Sequence, residues 1–352
     1  MESTPPARCP AHSGGAPESP QEFSPLVGEA AASEVDLAIS GTVRTGEISL
    51  LEEMSLAVSV RVPADRSAKT GILLVSHGSR SPAWRRLLLD VHREAEDELL
   101  AIEGVGAVRT AFMEYTEPSI ATQLRAFDED GYESVIVVPL LLTISDHSYD
   151  DIPAICGRTD DAAKIAELNA EKIEIYAAQA DLDFAPLIDF SGLVQRNVAR
   201  RVRAITGRRP EDGSDQSFGL LLVGYGSAEF DDEWNRFFME VRSSMELELG
   251  IAHTAHAWCG HLVNYSREPT MNGIDALLQR VDRVVVIPVL VAYDPMFQEK
   301  IIGRAVERCG SSGRVLYRRD SILPDPEVGR WVVEIAQRMM SGRTMNRAEA
   351  RI

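Results

Sequence analysis

The sequence predicts an α/β protein: two tandem parallel-sheet βα domains with an active-site cleft between them. Three observations point there. After Gly71, short apolar strands alternate with amphipathic helical stretches, as in a parallel sheet covered on both faces. The order then restarts, with LLVSHGS at 73–79 answered by LLVGYGS at 221–227, EPS at 117–119 by EPT at 268–270, and SVIVVPLLL at 134–142 by RVVVIPVLV at 283–291. Between the two runs, Thr206–Ser217 has the composition of a linker and no apolar spacing.

Taken in chain order, residues 1–34 are rich in Pro, Ser, Gly, Ala and Glu without periodicity, as a disordered tail would be. Residues 35–68 form an extension whose alternation at 56–62 suggests a strand or hairpin. The first unit spans 69–206, with strands expected at Ile72–Ser76, Ala107–Met113, Ser134–Leu142 and Ile173–Ala177. Helices are expected near Pro82–Ile102, Pro118–Asp130, Tyr149–Ala166 and Phe184–Ile205. A linker at 207–217, a second unit at 218–342 and a tail at 343–352 complete the division. IYAAQADLDFAPLIDF at 175–190 and VLYRRDSILPDPEVGR at 315–330 extend the repeat loosely.

Composition narrows the function classes. The 352 residues carry 36 Lys and Arg against 54 Asp and Glu, a net charge of −18. That excess argues against nucleic acid or an anionic membrane as partner, since both need a basic face. No apolar run is long enough to span a membrane and no secretory signal opens the chain, so a cytoplasmic location is expected. Cys9, Cys156, Cys259 and Cys309 stand apart without a CxxC pair, which suggests neither a disulfide framework nor a zinc knuckle.

The chemistry concentrates where strands should end. His77, in SHGSR, follows the first strand, with Ser81 expected to cap the next helix and Pro82 to open it. Gly78 permits close backbone approach there, although a histidine in such a place also serves by hydrogen-bonding its turn. His147, in PLLLTISDHSYDDIP, follows the third strand, and Glu114, in AFMEYTEPSI, ends the second. Two imidazoles and a carboxylate on one sheet rim can hold a divalent metal loosely and accept protons. Glu117 and Pro118 read as a helix N-terminus.

In this order and at these distances, VSHGSR, FMEYTEPSI and PLLLTISDHSYDDIP resemble the sirohydrochlorin chelatase family, the class II chelatases, over roughly residues 70–205. The second half resembles the second unit of the family's long members. The resemblance implies insertion of Co2+ or Fe2+, with Ni2+ third, into sirohydrochlorin in cobalamin- or siroheme-type tetrapyrrole biosynthesis. The metal would be substrate, and no cofactor would be tightly bound. His77, His147 and Glu114 would be both the metal-handling and the catalytic residues, accepting the pyrrole protons. Ser79, Arg80 and His261 are candidates for substrate binding. Activity should fall as the imidazoles protonate. The tetrapyrrole is the one expected partner, with a monomer or a homodimer.

The second half departs from the pattern. Tyr225 replaces His77, Tyr265 is expected in place of Glu114, and Met296 falls opposite His147. Those residues suit a divalent metal poorly, so one metal site per chain is expected, with the second half structural or covering the substrate. His253, His256 and His261 are further candidates for the cleft, or are simply packed and hydrogen-bonded as alternate residues of a strand. Tyr149 and Asp150 stand where the family often carries basic residues or further histidines. Arg85 and Arg86 could meet substrate carboxylates or form a solvated helix face. Two other classes compete: a non-catalytic metal- or tetrapyrrole-binding protein on this scaffold, and a histidine phosphatase. The phosphatase would need an arginine before His77, where Ser76 stands.

Overall fold

The computed structural model describes residues 69–142, 145, 147–188, 192–207, 218–309 and 313–349. The expected tail at 1–34, the extension at 35–68 and nearly all of the linker lie outside the described residues. In the first half, β1 (Thr70–Ser76), α1 (Pro82–Leu100), β2 (Val105–Phe112), α2 (Ile120–Glu129) and β3 (Ser134–Pro139) follow in turn. A π-helical turn at His147–Asp151 then runs into α3 (Ile152–Ile155), followed by α4 (Ala162–Ala170), β4 (Asp181–Phe184) and α5 (Leu193–Thr206). The second half repeats the plan: β5 (Phe218–Gly224), α6 (Asp231–Leu249), β6 (Thr254–Trp258), α7 (Glu268–Leu278) and β7 (Arg283–Pro288). A π-helical segment at Met296–Gly303, α8 (Arg304–Arg308), β8 (Val315–Tyr317) and α9 (Pro326–Glu349) complete it.

Each half holds one four-stranded sheet, ordered β2-β1-β3-β4 and β6-β5-β7-β8, with every pairing parallel. β1, β2, β3 and β5 are buried along their whole length, which is why they read as continuous apolar runs. In each order the chain leaves the first strand for one neighbour and returns on its other side. The crevice at the carboxyl ends of β1 and β3 is such a reversal, the usual place for a ligand in an open α/β sheet.

The closing helices are exchanged. Helix α5, which ends the first half of the chain, packs on α6, β7 and β8 of the second; α9, which ends the second, packs on α1 and β3 of the first. Leu88, Val91 and Leu99 of α1 therefore share one apolar core with Val328, Val332 and Ile335 of α9, and Val194, Val198 and Val202 of α5 with Phe237, Phe238 and Val241 of α6. Buried polar groups lock the exchange. Arg201 donates to the Pro288 carbonyl at 2.8 Å and pairs with Asp320, while Asn197 donates to Asp325 at 2.7 Å and to the Ile322 carbonyl. A division of the chain near residue 210 separates the two sheets but not the layers that cover them.

Four expectations need correction. No strand forms at 173–177; the fourth strand is Asp181–Phe184, paired with Ser134–Val137, and Tyr176 donates its backbone N–H to the Ile155 carbonyl instead. Phe184, expected to open the next helix, instead ends this strand, and the helix begins at Leu193. The expected helix at 149–166 is broken after Ile155, where Gly157 takes a φ of +71° and passes so close to Ala177 that a side chain would collide with it. The loose end of the repeat is displaced: Val315 pairs with Val284 as Leu182, not Ile175, pairs with Val135. Finally, α9 continues to Glu349 through the expected tail, across Arg343, Met345 and Arg347, all good helix formers.

Candidate functional site

The rim of the first sheet is assembled by backbone pairing that outlasts the strands. Beyond Phe112, Met113 donates to the Ser76 carbonyl and Glu114 to the His77 carbonyl, each at 2.9 Å. The two residues expected to act together are thus adjacent across the sheet at its carboxyl edge. Gly78, at a φ of +99°, makes this approach possible, since a Cβ there would lie 2.0 Å from the Glu114 carbonyl oxygen. Ser81 caps α1 by accepting from the Trp84 N–H, with Pro82 at the first turn, as the sequence indicates. The next helix starts at Ile120, with Ser119 as its cap; Glu117 stays outside and accepts from the Ser119 N–H at 2.6 Å.

The His77 ring is set by its own turn. Its Nδ1 lies 3.0 Å from the Gly78 carbonyl oxygen, which can only accept, so Nδ1 carries the proton and the lone pair is on Nε2. That is the tautomer a metal or an arriving proton requires. Tyr115, which takes a left-handed φ of 65°, stands beside it with ring centroids 5.9 Å apart. Burial, and then a hydrogen bond to Glu114, hold the Tyr115 hydroxyl above its ordinary pKa, so it remains a donor to that carboxylate. The Arg80 guanidinium lies over the Tyr115 ring, 5.3 Å from its centroid. His147 opens the π-helical turn that follows β3. Among the described residues, no group of three or more His, Cys, Asp or Glu is gathered as a metal site; the His147 side chain is not among the groups described.

The remaining candidates divide. Ser79 spans the cleft, donating to Asp294 of the second half at 3.2 Å and accepting from the Ser81 N–H. Arg80 is exposed at the rim. Arg85 donates to the Ser79 carbonyl at 2.9 Å and so ties down the loop that carries His77. Of the three histidines in the second half, His261 stands exposed at the carboxyl edge, its Nε2 2.9 Å from the Tyr265 hydroxyl. His256 is turned into packing, between Asn235 at 2.9 Å and Arg242 at 3.4 Å, and burial lowers its pKa. His253 precedes β6 and gives its carbonyl to Leu220.

The second edge copies the backbone of the first and changes its chemistry. Tyr225 occupies the His77 position, and Met296 opens its π-helical segment as His147 opens the first. The counterpart of Glu114 is Gly260, not Tyr265, because the Gly260 N–H donates to the Tyr225 carbonyl at 2.9 Å. A side chain is excluded there, since a Cβ would lie 2.6 Å from that same oxygen. The EPS and EPT motifs placed Tyr265 opposite Glu114 because the connection from Gly260 to Glu268 is longer than that from Glu114 to Glu117. The sequence reading also passed over Tyr115 and Asp294. Tyr115 directly follows Glu114 and was there to be noticed, whereas Asp294 acquires meaning only from a contact across the cleft.

Two parallel sheets with exchanged helices, one of them bringing His77 beside Glu114 at its carboxyl edge, define a tandem α/β protein with a chelatase-type fold. The CbiX family model matches residues 71–204. The sirohydrochlorin cobaltochelatase of Saccharolobus solfataricus is 33% identical over 108 residues, which are 31% of this chain and 79% of that protein. The chain belongs to the sirohydrochlorin chelatase family. Its fold is similar to that of the sirohydrochlorin chelatase SirB from Bacillus subtilis subspecies spizizenii in complex with cobalt. The TM-score is 0.52 at 21% identity, covering 76% of this chain and 94% of that one. SirB from Bacillus subtilis with Fe3+ gives a TM-score of 0.53 with the same identity and coverage.

Proposed function

We propose that this protein inserts a divalent metal, Co2+ or Fe2+, into sirohydrochlorin, in cobalamin- or siroheme-type tetrapyrrole biosynthesis. The observation that carries the reading is the pairing of His77 and Glu114 on neighbouring strand ends at the sheet's reversal point, within a chain of this family. Insertion requires two pyrrole N–H protons to leave and the metal to shed its water. His77 presents its Nε2 lone pair, Glu114 accepts a proton with Tyr115 hydrogen-bonded beside it, and His147 completes the set from the third strand's turn. A loose set of imidazole and carboxylate ligands lets the metal pass on, where four thiolates would retain it. Arg80, Ser79 and His261 border the space and would meet the substrate's carboxylates and edge. We assign one metal site per chain, a cytoplasmic location and the unit boundaries at 69–206 and 218–342 to the same proposal. Among the described residues, no helix is long and apolar enough to cross a membrane.

The test is anaerobic absorption spectroscopy of the protein with sirohydrochlorin, adding Co2+, Fe2+ or Ni2+ separately. Metal-dependent conversion faster than the uncatalysed rate, and lost in His77→Ala, supports insertion and ranks the metals. Pigment bound with no acceleration by any metal rejects insertion and leaves a tetrapyrrole-binding protein.

A further inference from the structure

We propose that the carboxyl edge of the second sheet is an aromatic wall that takes the flat face of the tetrapyrrole, with Tyr265 and Met296 in contact and Tyr225 and Phe297 behind them. This rests on the function proposed above and names the half of the site that handles the macrocycle, not the metal.

Of the six large apolar side chains left exposed among the described residues, Phe184, Met239 and Leu247 lie elsewhere, while Tyr115 (58%), Tyr265 (37%) and Met296 (40%) stand at the two carboxyl edges that the Ser79–Asp294 contact joins. A clustered exposed apolar surface marks a binding site more often than isolated residues do.

The wall is also built, not incidental. Tyr225 packs edge-on against Phe297 and His261, with centroids 5.6 Å apart in both cases, and Tyr265 lies 6.2 Å from Phe297 and 5.0 Å from His261. The longer connection after Gly260 holds Asn264 and Tyr265 at successive left-handed φ values of 49° and 56°, a conformation side chains rarely adopt and one that collects at functional sites. The His261 ring fixes the Tyr265 hydroxyl, and burial, followed by the hydrogen bond with Tyr265, raises the Tyr225 pKa, so that inner phenol stays neutral. A face of tilted rings and a thioether, whose one neighbouring carboxylate, Asp294, is taken up by Ser79 and the Met296 N–H, is a weak site for a divalent cation and a good one for a conjugated macrocycle.

The experiment is anaerobic titration of sirohydrochlorin into wild type, Tyr265→Ala, Tyr265→Phe and Met296→Ala, following the pigment's absorption bands, with the KM for Co2+ measured on the same preparations. Tyr265→Ala should weaken pigment binding roughly tenfold, Met296→Ala less, and Tyr265→Phe should restore it, because the ring and not the hydroxyl makes the contact. The Co2+ KM should not follow. Equal pigment affinities in all four proteins overturn the wall, as does a Phe variant as weak as the Ala variant, or a Co2+ KM that rises in step. A wild type that inserts metal while the four affinities agree refutes the wall alone. The expected affinities without insertion by any metal refute the proposed activity alone, and a wild type that binds no pigment refutes both.

Discussion

The two carboxyl edges have nearly the same backbone and opposite chemistry. His77 and Tyr225 follow the same strand position, Glu114 and Gly260 make the same hydrogen bond, and His147 and Met296 open matching π-helical segments. One edge carries imidazole and carboxylate side chains; the other has rings and a thioether. Under the proposed function, the change of three positions divides the labour between two edges of one backbone plan. The exchange of α5 and α9 keeps the halves from acting separately, since each sheet is covered by a helix belonging to the other half of the chain.

The largest expected effect separates the edges by activity. His77→Ala should lower the metal insertion rate by about a hundredfold or more, the usual weight of a positioned base, while pigment still binds. Tyr225→His should gain no second metal, because Gly260 cannot carry the carboxylate; metal binding per chain, counted by calorimetry, should stay at one.

The glycines give the next comparison. Gly78→Ala places a Cβ 2.0 Å from a backbone oxygen at a φ of +99°, and should cost about 3 kcal/mol in denaturant unfolding. Gly226→Ala meets only the Trp258 ring, at 3.0 Å and a φ of +79°, and should cost roughly 1–2 kcal/mol. Equal costs would mean that the backbone approach at Gly78 is no tighter than the ring contact at Gly226, against this geometry.

Arg201→Ala tests the exchange. It removes a buried guanidinium that reaches from α5 to the end of β7 and leaves Asp320 unpaired, so about 2–4 kcal/mol should be lost. Thermal unfolding should remain a single transition at a lower Tm; two separate transitions would show that the halves fold independently.

The smallest effect is on pH. Burial holds the imidazoles of His92 in the first half and His256 in the second below their ordinary value of 6.5. The unfolded chain therefore takes up protons first as pH falls. Stability should be full above about pH 6.5 and decline as pH drops toward the lowered folded values, with His256→Gln flattening part of that slope.

Most of this fold was legible in the sequence because buried parallel strands write continuous apolar runs, and duplication writes them twice. The placement of His77 and Glu114 at neighbouring strand ends was legible for a related reason, since they lie where apolar runs stop. The fourth strand was not, since Asp181–Phe184 pairs on an edge where two carboxylates are tolerated and the apolar pattern is thin. Nor was the helix exchange, because an amphipathic helix shows which face is buried but not against which half. The assignment of Tyr265 opposite Glu114 failed through the longer loop, which shifts a register that only a backbone hydrogen bond can establish.

The most direct test of divided labour uses the matched pair at the two π-helical starts. Insertion kinetics of His147→Ala and Met296→Ala would be measured with sirohydrochlorin and Co2+ under anaerobic conditions. His147→Ala should lose kcat by about a hundredfold or more, whereas the loss in Met296→Ala should fall on the KM for the tetrapyrrole. Comparable kcat losses in both variants, or a larger one in Met296→Ala, would contradict that division.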